Sequence, residues 1–225
     1  MTANVVDAEF IERRTTTVAL ADGTRLLIRP VVPEDKQRFL DGFARLSPES
    51  RYRRFMAPID ELTPEMLRQF TEVDYVDHFA YVALLADEPG LPGVGVARYV
   101  RLEDDPEVAE AAITVIDEYQ GRGVGTLLLE ALGAVALENG IKRFRGYVLE
   151  QNRPMIELLG DGGVAMEHDG PGLVRVEVDL PGRAEALRGT PMYRVFRALA
   201  RGQRPITVRL REYWSKLLGP SRTQP

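Results

Sequence analysis

The sequence contains no cysteine among its 225 residues, and it has only two histidines and one tryptophan. Without thiols, a disulfide framework, an iron–sulfur cluster, a thiolate zinc site and a cysteine nucleophile are all excluded. A serine–histidine triad or a multi-histidine metal site would have to use His78 or His168. A partly buried or surface position is the simpler reading of both histidines. We therefore expect the chemistry of this chain to come mainly from other side chains and from the backbone.

Long apolar runs and N-terminal targeting signals are also missing. No stretch approaches the roughly 18 apolar residues that span a bilayer. Residues 1–4 lack the basic and apolar regions of a signal peptide. We therefore expect a cytoplasmic protein with no membrane span.

Charge is spread unevenly along the chain. Residues 183–225 contain ten Lys and Arg but two acidic residues, so this segment carries +8 although the whole chain carries −5. The pattern predicts a boundary near residue 182 and a basic amphipathic helical extension over 183–225. Docking of the extension onto the acidic body, or a homo-oligomer formed through it, would satisfy both charge signs. A membrane surface or an acidic partner could also use the basic segment. We expect no nucleic-acid partner.

Hydrophobic periodicity predicts one α/β domain over residues 17–182, preceded by a loose, flexible arm over residues 1–16. Strands are predicted over residues 24–29, 78–86, 94–101, 107–116, 144–149 and 173–180. Helices are predicted to begin near residues 33, 47, 63, 121 and 152, and the longest spans 121–138. This order favours a mixed central sheet of about six to seven strands flanked by helices.

Residues 110–126 are the most informative segment: a strand, a short turn, a glycine-rich loop and the start of a long amphipathic helix. Backbone N–H groups and the positive end of the helix dipole converge there, which suits a pyrophosphate. Gly121, Gly123 and Gly125 would let an anion approach the backbone closely, and Arg122 would add a mobile positive charge. The nucleotide P-loop and the dinucleotide fingerprint both fail on this spacing. A glycine-rich helix start without a ligand remains open on spacing alone.

The loop also carries a family signature. Residues Gln120-Gly121-Arg122-Gly123-Val124-Gly125 match the Gln/Arg-x-x-Gly-x-Gly/Ala pattern. In this pattern the segment resembles the GNAT superfamily of N-acetyltransferases, whose loop binds the pyrophosphate of acetyl-CoA. The resemblance covers about residues 17–182. Residues 46–55 and 73–75 resemble the Pat branch of bacterial protein lysine acetyltransferases.

The resemblance implies acetyl-CoA as cosubstrate and no metal. Val115 would offer its backbone N–H to the thioester carbonyl where its strand splays from the next. Ile113 and Thr114 would line the pantetheine, and Asn152 would open the next helix and contact the pantetheine arm. The full set of implied donor-binding residues is Ile113, Thr114, Val115, Gln120, Gly121, Arg122, Gly123, Val124, Gly125, Thr126 and Asn152.

Glu110 is the predicted catalytic residue. An amine attacks a thioester only as the free base, so a general base is useful for a lysine acceptor. Glu110 stands ten residues before Gln120, where similar GNAT enzymes keep their catalytic glutamate. Its small apolar neighbours would desolvate the carboxylate and make it a stronger base. A glutamate on a solvent-facing strand is the alternative.

The implied activity is acetylation of a protein lysine by direct transfer in a ternary complex. Acetylation of a small amine (a polyamine, amino acid or antibiotic) and a non-catalytic acyl-CoA sensor are the alternatives. Many GNAT enzymes place a tyrosine acid seven residues after the helix-opening asparagine, but here that position is Leu159. No acid for the departing thiolate is therefore assigned. The loop at 160–163 also departs from the family pattern.

Overall fold

The structure is a computed structural model that describes residues 8–161 and 164–180. A single mixed sheet of eight strands runs through this part of the chain in the order β1-β2-β3-β4-β5-β6-β8-β7. The strands are β1 (Thr16–Ala19), β2 (Arg25–Pro30), β3 (His78–Leu85), β4 (Gly93–Arg101), β5 (Val108–Val115), β6 (Arg143–Leu149), β7 (Ala165–His168) and β8 (Leu173–Asp179). The helices are α1 (Ala8–Arg13), α2 (Lys36–Ala44), α3 (Pro48–Phe55), α4 (Pro64–Thr71), α5 (Val124–Glu138) and α6 (Arg153–Asp161).

The strands pair antiparallel except at one place. β5 and β6 are parallel, and α5 is the crossover between them. Parallel neighbours need such a long connection because the chain must return to the same edge of the sheet. The sheet therefore consists of an antiparallel half, β1–β5, joined through one parallel seam to a second antiparallel half, β6–β8.

Two of the helices begin at the residues that the sequence predicts. The Ser47 hydroxyl accepts a hydrogen bond from the Ser50 backbone N–H at 3.1 Å, and Pro48 occupies the first turn. Thr63 caps α4 in the same way through the Met66 N–H, at 3.2 Å. Such caps satisfy backbone donors that a helix start leaves without intrahelical partners.

Helices cover both faces of the antiparallel half. α5 packs on β3, β4 and β5, while α2 packs on the opposite face against β4 and α4. The main hydrophobic core spans both layers and includes Leu26, Phe79, Tyr99 and Leu132, each fully buried. Beyond the seam, the core under α6 is a separate and much smaller cluster: Val148, Leu159, Val174 and Val176.

Two edge strands go beyond the six that hydrophobic periodicity predicts. β1 and β7 have four residues each, and most of their side chains are exposed. Short exposed strands carry little apolar periodicity, because only one face packs and half of the backbone edge is solvated. Pairing with β2 and β8 is what defines them.

The predicted loose arm over residues 1–16 is wrong for its second part. Residues 8–13 form α1, whose Phe10 packs edge-to-face on Tyr75 with ring centroids 5.4 Å apart. Arg14 pairs with Glu138 at the end of α5, at 2.6 Å. These tertiary contacts stabilise a helix too short to form alone.

The predicted basic helical extension over residues 183–225 lies outside the described residues, as does the first part of the arm. Within the described ranges, no helix is long and apolar enough to cross a bilayer.

Candidate active site

The two central strands separate part-way along their length. β5 pairs with β4 along all of Ala109–Val115, but it pairs with β6 only from Val108 to Glu110. Beyond Glu110, the edge of β5 that faces β6 has no strand partner in the described chain. The two strands are therefore no longer paired beyond Glu110, and the space between their unpaired ends is called the gap here.

The Val115 backbone N–H points into this gap. The next N–H along the chain, that of Ile116, donates to the Val94 carbonyl on the β4 side at 3.0 Å. Successive N–H groups of a strand point to opposite edges, so that of Val115 faces the β6 side. The Val115 carbonyl accepts the Gln120 side-chain amide at 3.0 Å, which fixes the end of the strand.

Glu110 lies at the last paired position before the gap, opposite Arg145 of β6 and Val100 of β4. Its side chain is buried, with 2% of its surface exposed. A Cβ at Gly95 would contact Leu128 and Val124 of α5, so Gly95 and its partner Val115 face that helix. Since Glu110 is an odd number of residues from Val115, it faces the other layer, α2–α4.

A cavity of about 80 Å³ lies in that other layer, between helices α2–α4 and strands β4 and β5. Its lining is mainly apolar and includes four phenylalanines, namely Phe39, Phe43, Phe55 and Phe70. Its polar side chains include Arg54, Arg98 and Thr114. The Thr114 hydroxyl is buried and has no hydrogen-bond partner among the described residues.

Arg98 and His78 are held together beside this cavity. The Arg98 guanidinium donates to the Phe70 carbonyl and approaches His78 Nε2, each at 3.2 Å. Desolvation and the nearby Arg98 charge hold the pKa of His78 well below its usual value. His78 is therefore neutral at neutral pH, and the positive charge here belongs to arginine.

The side chains of Ile113 and Thr114 do not lie together. Ile113 is 1% exposed and packs in the main core, whereas Thr114 lines the cavity on the other face. Strand alternation forces this separation, because adjacent side chains point to opposite faces. Any contact of both residues with one pantetheine chain would therefore have to be made by their backbone.

The glycine-rich loop has the geometry of an anion site. Gly121 and Gly123 have φ angles of 75° and 97°, a conformation that other residues rarely adopt. Helix α5 therefore begins at Val124, not at Gly121 as the periodicity predicts, and Gly123 is its N-cap. Val124, Gly125 and Thr126 form the first turn, where helix N–H groups and the dipole favour a negative charge.

Arg122 is not the mobile charge that the sequence predicts. Its guanidinium binds Asp22 at 2.6 Å and the Thr24 hydroxyl at 2.7 Å, and it lies 4.4 Å from the centre of the Tyr119 ring. Hydrogen bonds from Thr24, together with Arg122, lower the pKa of Asp22 to about 2. The turn between β1 and β2 thus holds the loop through an ion pair.

Asn152 stands at the start of α6, as predicted. Its N–H donates to the Leu149 carbonyl at 2.8 Å, and its own carbonyl accepts the Ile156 N–H at 3.1 Å. A second, open cavity lies nearby. Its lining includes Tyr52 of α3, the end of β6 at Leu149, and Gln151.

Leu159, seven residues after Asn152, is buried in the small core under α6. An aliphatic side chain in this position cannot donate a proton. In the described part of the chain, no group of three or more His, Asp or Glu side chains is placed to hold a metal.

Sequence reasoning missed two acidic residues next to the loop. Asp22 holds Arg122, and Asp117 holds the start of α3 through Ser47 and Ser50. Their partners lie about 70 to 100 residues away along the chain. No local pattern of the sequence indicates such contacts.

Comparison with known proteins identifies the family of this chain. The family model described as "Acetyltransferase (GNAT) domain" matches residues 25–164. "Acetyltransferase Pat" of Mycolicibacterium smegmatis is 37% identical over 164 residues, which is 73% of this chain and 48% of that protein. The chain therefore spans about half the length of this relative. "Acetyltransferase PA5475" of Pseudomonas aeruginosa is 36% identical over 62% of this chain and 75% of its own length.

The solved structure of the GNAT domain of S. lividans PAT has a TM-score of 0.67 and 35% identity, covering 75% of this chain and 98% of that one. The family match includes β2 to α6, and thus the seam, the loop and Glu110. The chain belongs to the GNAT acetyltransferase family, and its domain is an α/β acyltransferase domain of that class.

Proposed function

We propose that this protein transfers the acetyl group of acetyl-CoA to a protein lysine, with Glu110 as general base. The observation that carries the proposal is the position of Glu110. It is buried at the last pair of β5 and β6, where the gap opens that exposes the Val115 N–H. A base and an oxyanion donor on one strand, five residues apart, suit acyl transfer.

The donor would bind along the gap and the loop. Its pyrophosphate would meet the N–H groups around Gly123 and the first turn of α5. The pantetheine would run between β5 and β6 toward Asn152. This arrangement brings the thioester carbonyl to the Val115 N–H, which carries no strand partner there in the described chain.

Transfer would occur in one ternary complex. Glu110 takes a proton from the lysine ammonium, directly or through a water, and the free amine attacks the thioester carbon. The carbonyl oxygen becomes an oxyanion that the Val115 N–H stabilises. The carbon–nitrogen bond forms in this attack. Collapse of the intermediate restores the carbonyl, breaks the carbon–sulfur bond and releases CoA as its thiolate, while the second proton leaves the nitrogen for solvent and an amide remains. This chain has no cysteine that could carry the acetyl group in between.

Protein lysine is favoured as acceptor by the region around α3. Residues 46–55 and 73–75 resemble the Pat branch, and a relative with this name matches 73% of the chain. Residues 1–182 carry a net −13, because the basic extension accounts for +8 of the net −5, and an acidic body attracts cationic acceptors. A small cationic amine would profit from the same charge, so the experiment must separate the two acceptor classes.

The experiment uses radiolabelled acetyl-CoA, a host cell extract and the purified protein or its Glu110→Gln variant. Label is counted separately in the macromolecular and small-molecule fractions. We expect label on protein, reduced about 10²- to 10⁴-fold by Glu110→Gln because general-base catalysis is lost. Glu107→Gln is the matched control, since Glu107 pairs with Lys142 at the surface, outside the gap. Its labelling should stay close to that of the parent protein.

Acetyl-CoA binding is measured in parallel by calorimetry. Undiminished transfer by a Glu110→Gln protein that still binds acetyl-CoA would exclude Glu110 as the base. Label that appears on small amines alone would replace protein lysine by a metabolite acceptor. Binding without label in either fraction would favour an acyl-CoA sensor.

A further inference from the structure

Helix α3 contributes side chains to both of the cavities described above. Arg54 and Phe55 line the apolar cavity over β4 and β5. Tyr52, on the exposed side of the same helix, lines the open cavity at the end of β6. Glu110 faces the same layer of helices, α2–α4, so the position of α3 shapes the space on the face of the sheet where the proposed base lies.

The N-terminus of α3 is held by the carboxylate of Asp117. Oδ2 accepts the Ser47 backbone N–H at 3.0 Å, and Oδ1 accepts the Ser47 hydroxyl at 2.9 Å. Oδ1 also accepts the Ser50 hydroxyl at 2.8 Å. Three donors from the first turn of one helix thus converge on a single side chain of another segment.

The charge of Asp117 suits this place. A carboxylate at the N-terminus of a helix is stabilised by the helix dipole. Burial opposes ionisation, but the hydrogen bonds from Ser47 and Ser50 outweigh it and lower the pKa of Asp117 below its usual value. Asp117 is therefore a carboxylate at neutral pH, and it accepts all three hydrogen bonds in that form.

Asp117 also begins the segment that would bind the donor. It starts the 3₁₀ turn Asp117–Tyr119, which leads directly into Gln120 and the glycine-rich loop. The Gln120 amide donates to the Val115 carbonyl at 3.0 Å and approaches the Ser50 hydroxyl at 3.5 Å. The strand end that offers the oxyanion N–H and the first turn of α3 therefore share one hydrogen-bonded network.

We infer that Asp117 is a positioning residue that couples the acetyl-CoA site to α3, so that donor binding orders the acceptor side. The inference rests on the proposed function in taking the gap and the loop as the acetyl-CoA site. Bound acetyl-CoA would restrain this segment at both ends, because its thioester carbonyl would bind the Val115 N–H and its pyrophosphate would bind the glycine-rich loop. Asp117 lies between these two ends, so its carboxylate would move less when acetyl-CoA is bound. The three hydrogen bonds from Ser47 and Ser50 to this carboxylate would then open less often, and the first turn of α3 would be more ordered.

Hydrogen exchange of the full chain, with and without saturating acetyl-CoA, tests this coupling without any acceptor. In the parent protein we expect acetyl-CoA to slow exchange both in the loop, residues 117–126, and in α3. For α3 the expected slowing is about tenfold, the size of effect that hydrogen bonds to a charged group produce. In Asp117→Asn the loop should still be protected, while α3 should respond less than about twofold.

Two further variants make the result specific. Glu118→Gln removes one carboxylate charge at the residue after Asp117. Glu118 pairs with Arg45 at the surface, so acetyl-CoA should still slow hydrogen exchange in α3 as much as in the parent protein. Ser50→Ala retains Asp117 but removes one donor, so it should give an intermediate response. It also serves as the test if Asp117→Asn fails to fold, which a thermal melt would reveal.

Protection of the loop without any change in α3 of the parent protein would overturn the coupling and leave the proposed function standing. A full α3 response in Asp117→Asn would overturn it as well. No protection in either segment would instead reject the acetyl-CoA site itself, and the coupling with it.

Discussion

The two halves of the sheet differ in how firmly they are held. Strands β1–β5 lie between α5 and the α2–α4 layer and share one extensive core. Strands β6–β8 share a cluster of four buried side chains under α6, and only Phe144 of β6 and Val178 of β8 also join the main core. The halves meet at a parallel seam of three residue pairs, Val108–Glu110 with Arg143–Arg145. Beyond the seam, the strands part.

This difference accounts for the position of the proposed active site. A ligand can use strand backbone only where a neighbouring strand does not, and the short seam frees the end of β5 on one edge. The firm half keeps that free end in place through seven pairs with β4. The thinner half supplies Asn152 and the opposite wall of the gap. Rigid positioning of the reacting groups thus comes from one side of the molecule.

The largest expected effect tests the unequal cores. Leu132→Ala removes a fully buried side chain from the main core, and we expect it to lower the free energy of unfolding by about 3–5 kcal/mol. Leu159→Ala acts on the small cluster, whose four members can close around the lost volume, so we expect about 2 kcal/mol. Urea denaturation of both variants measures the difference. Equal losses would mean that the two halves are packed alike.

A smaller effect tests whether packing within the β1–β5 half fixes the position of the acetyl-CoA site. A Cβ at Gly95 would lie 3.0 Å from Leu128, 3.1 Å from Val124 and 3.3 Å from the Thr114 carbonyl. Gly95→Ala should therefore push α5 away from β4, with a cost of about 1–2 kcal/mol in unfolding free energy. It should also weaken acetyl-CoA binding, because Val124 begins the helix that follows the loop.

Gly93→Ala is the matched control for this overpacking. The nearest atom to its added Cβ would be 3.8 Å away, an ordinary contact distance. Calorimetry should find its acetyl-CoA affinity unchanged and its stability within about 0.5 kcal/mol of the parent protein. If Gly95→Ala bound acetyl-CoA equally well, the start of α5 would not depend on this contact.

The smallest effect concerns the ion pair that holds the loop. Asp22→Asn removes the charge that neutralises Arg122, so the loop becomes more positive. We expect acetyl-CoA to bind up to about fivefold more tightly at low salt, within the range of surface ion pairs, and the gain to disappear at high salt. Asp87→Asn, which frees Arg25 at the surface, should not change affinity. Weaker binding by Asp22→Asn would contradict this expectation. It would mean that Asp22 matters more for the orientation of the Arg122 side chain than for the neutralisation of its charge.

Much of the fold and part of the site follow from local patterns. The helix starts at Ser47 and Thr63, the six longer strands and the loop at 120–125 are all readable in the sequence. Each of them depends on neighbours within a few residues, such as a cap, a turn or an alternation of apolar side chains. The start of α5 at Val124 was less readable, since the positive φ angles of Gly121 and Gly123 appear only in the folded loop.

The sequence by itself determined the family, the glycine-rich loop and the spacing between Glu110 and Gln120, because these are properties of one continuous segment. Only the tertiary structure decided three contacts. Glu110 forms the last pair of the seam between β5 and β6, Arg122 forms an ion pair with Asp22, and Asp117 accepts hydrogen bonds from the first turn of α3. Their partners lie in other strands, helices and turns. Such contacts depend on the packing of the whole sheet, and no pattern along the chain records them.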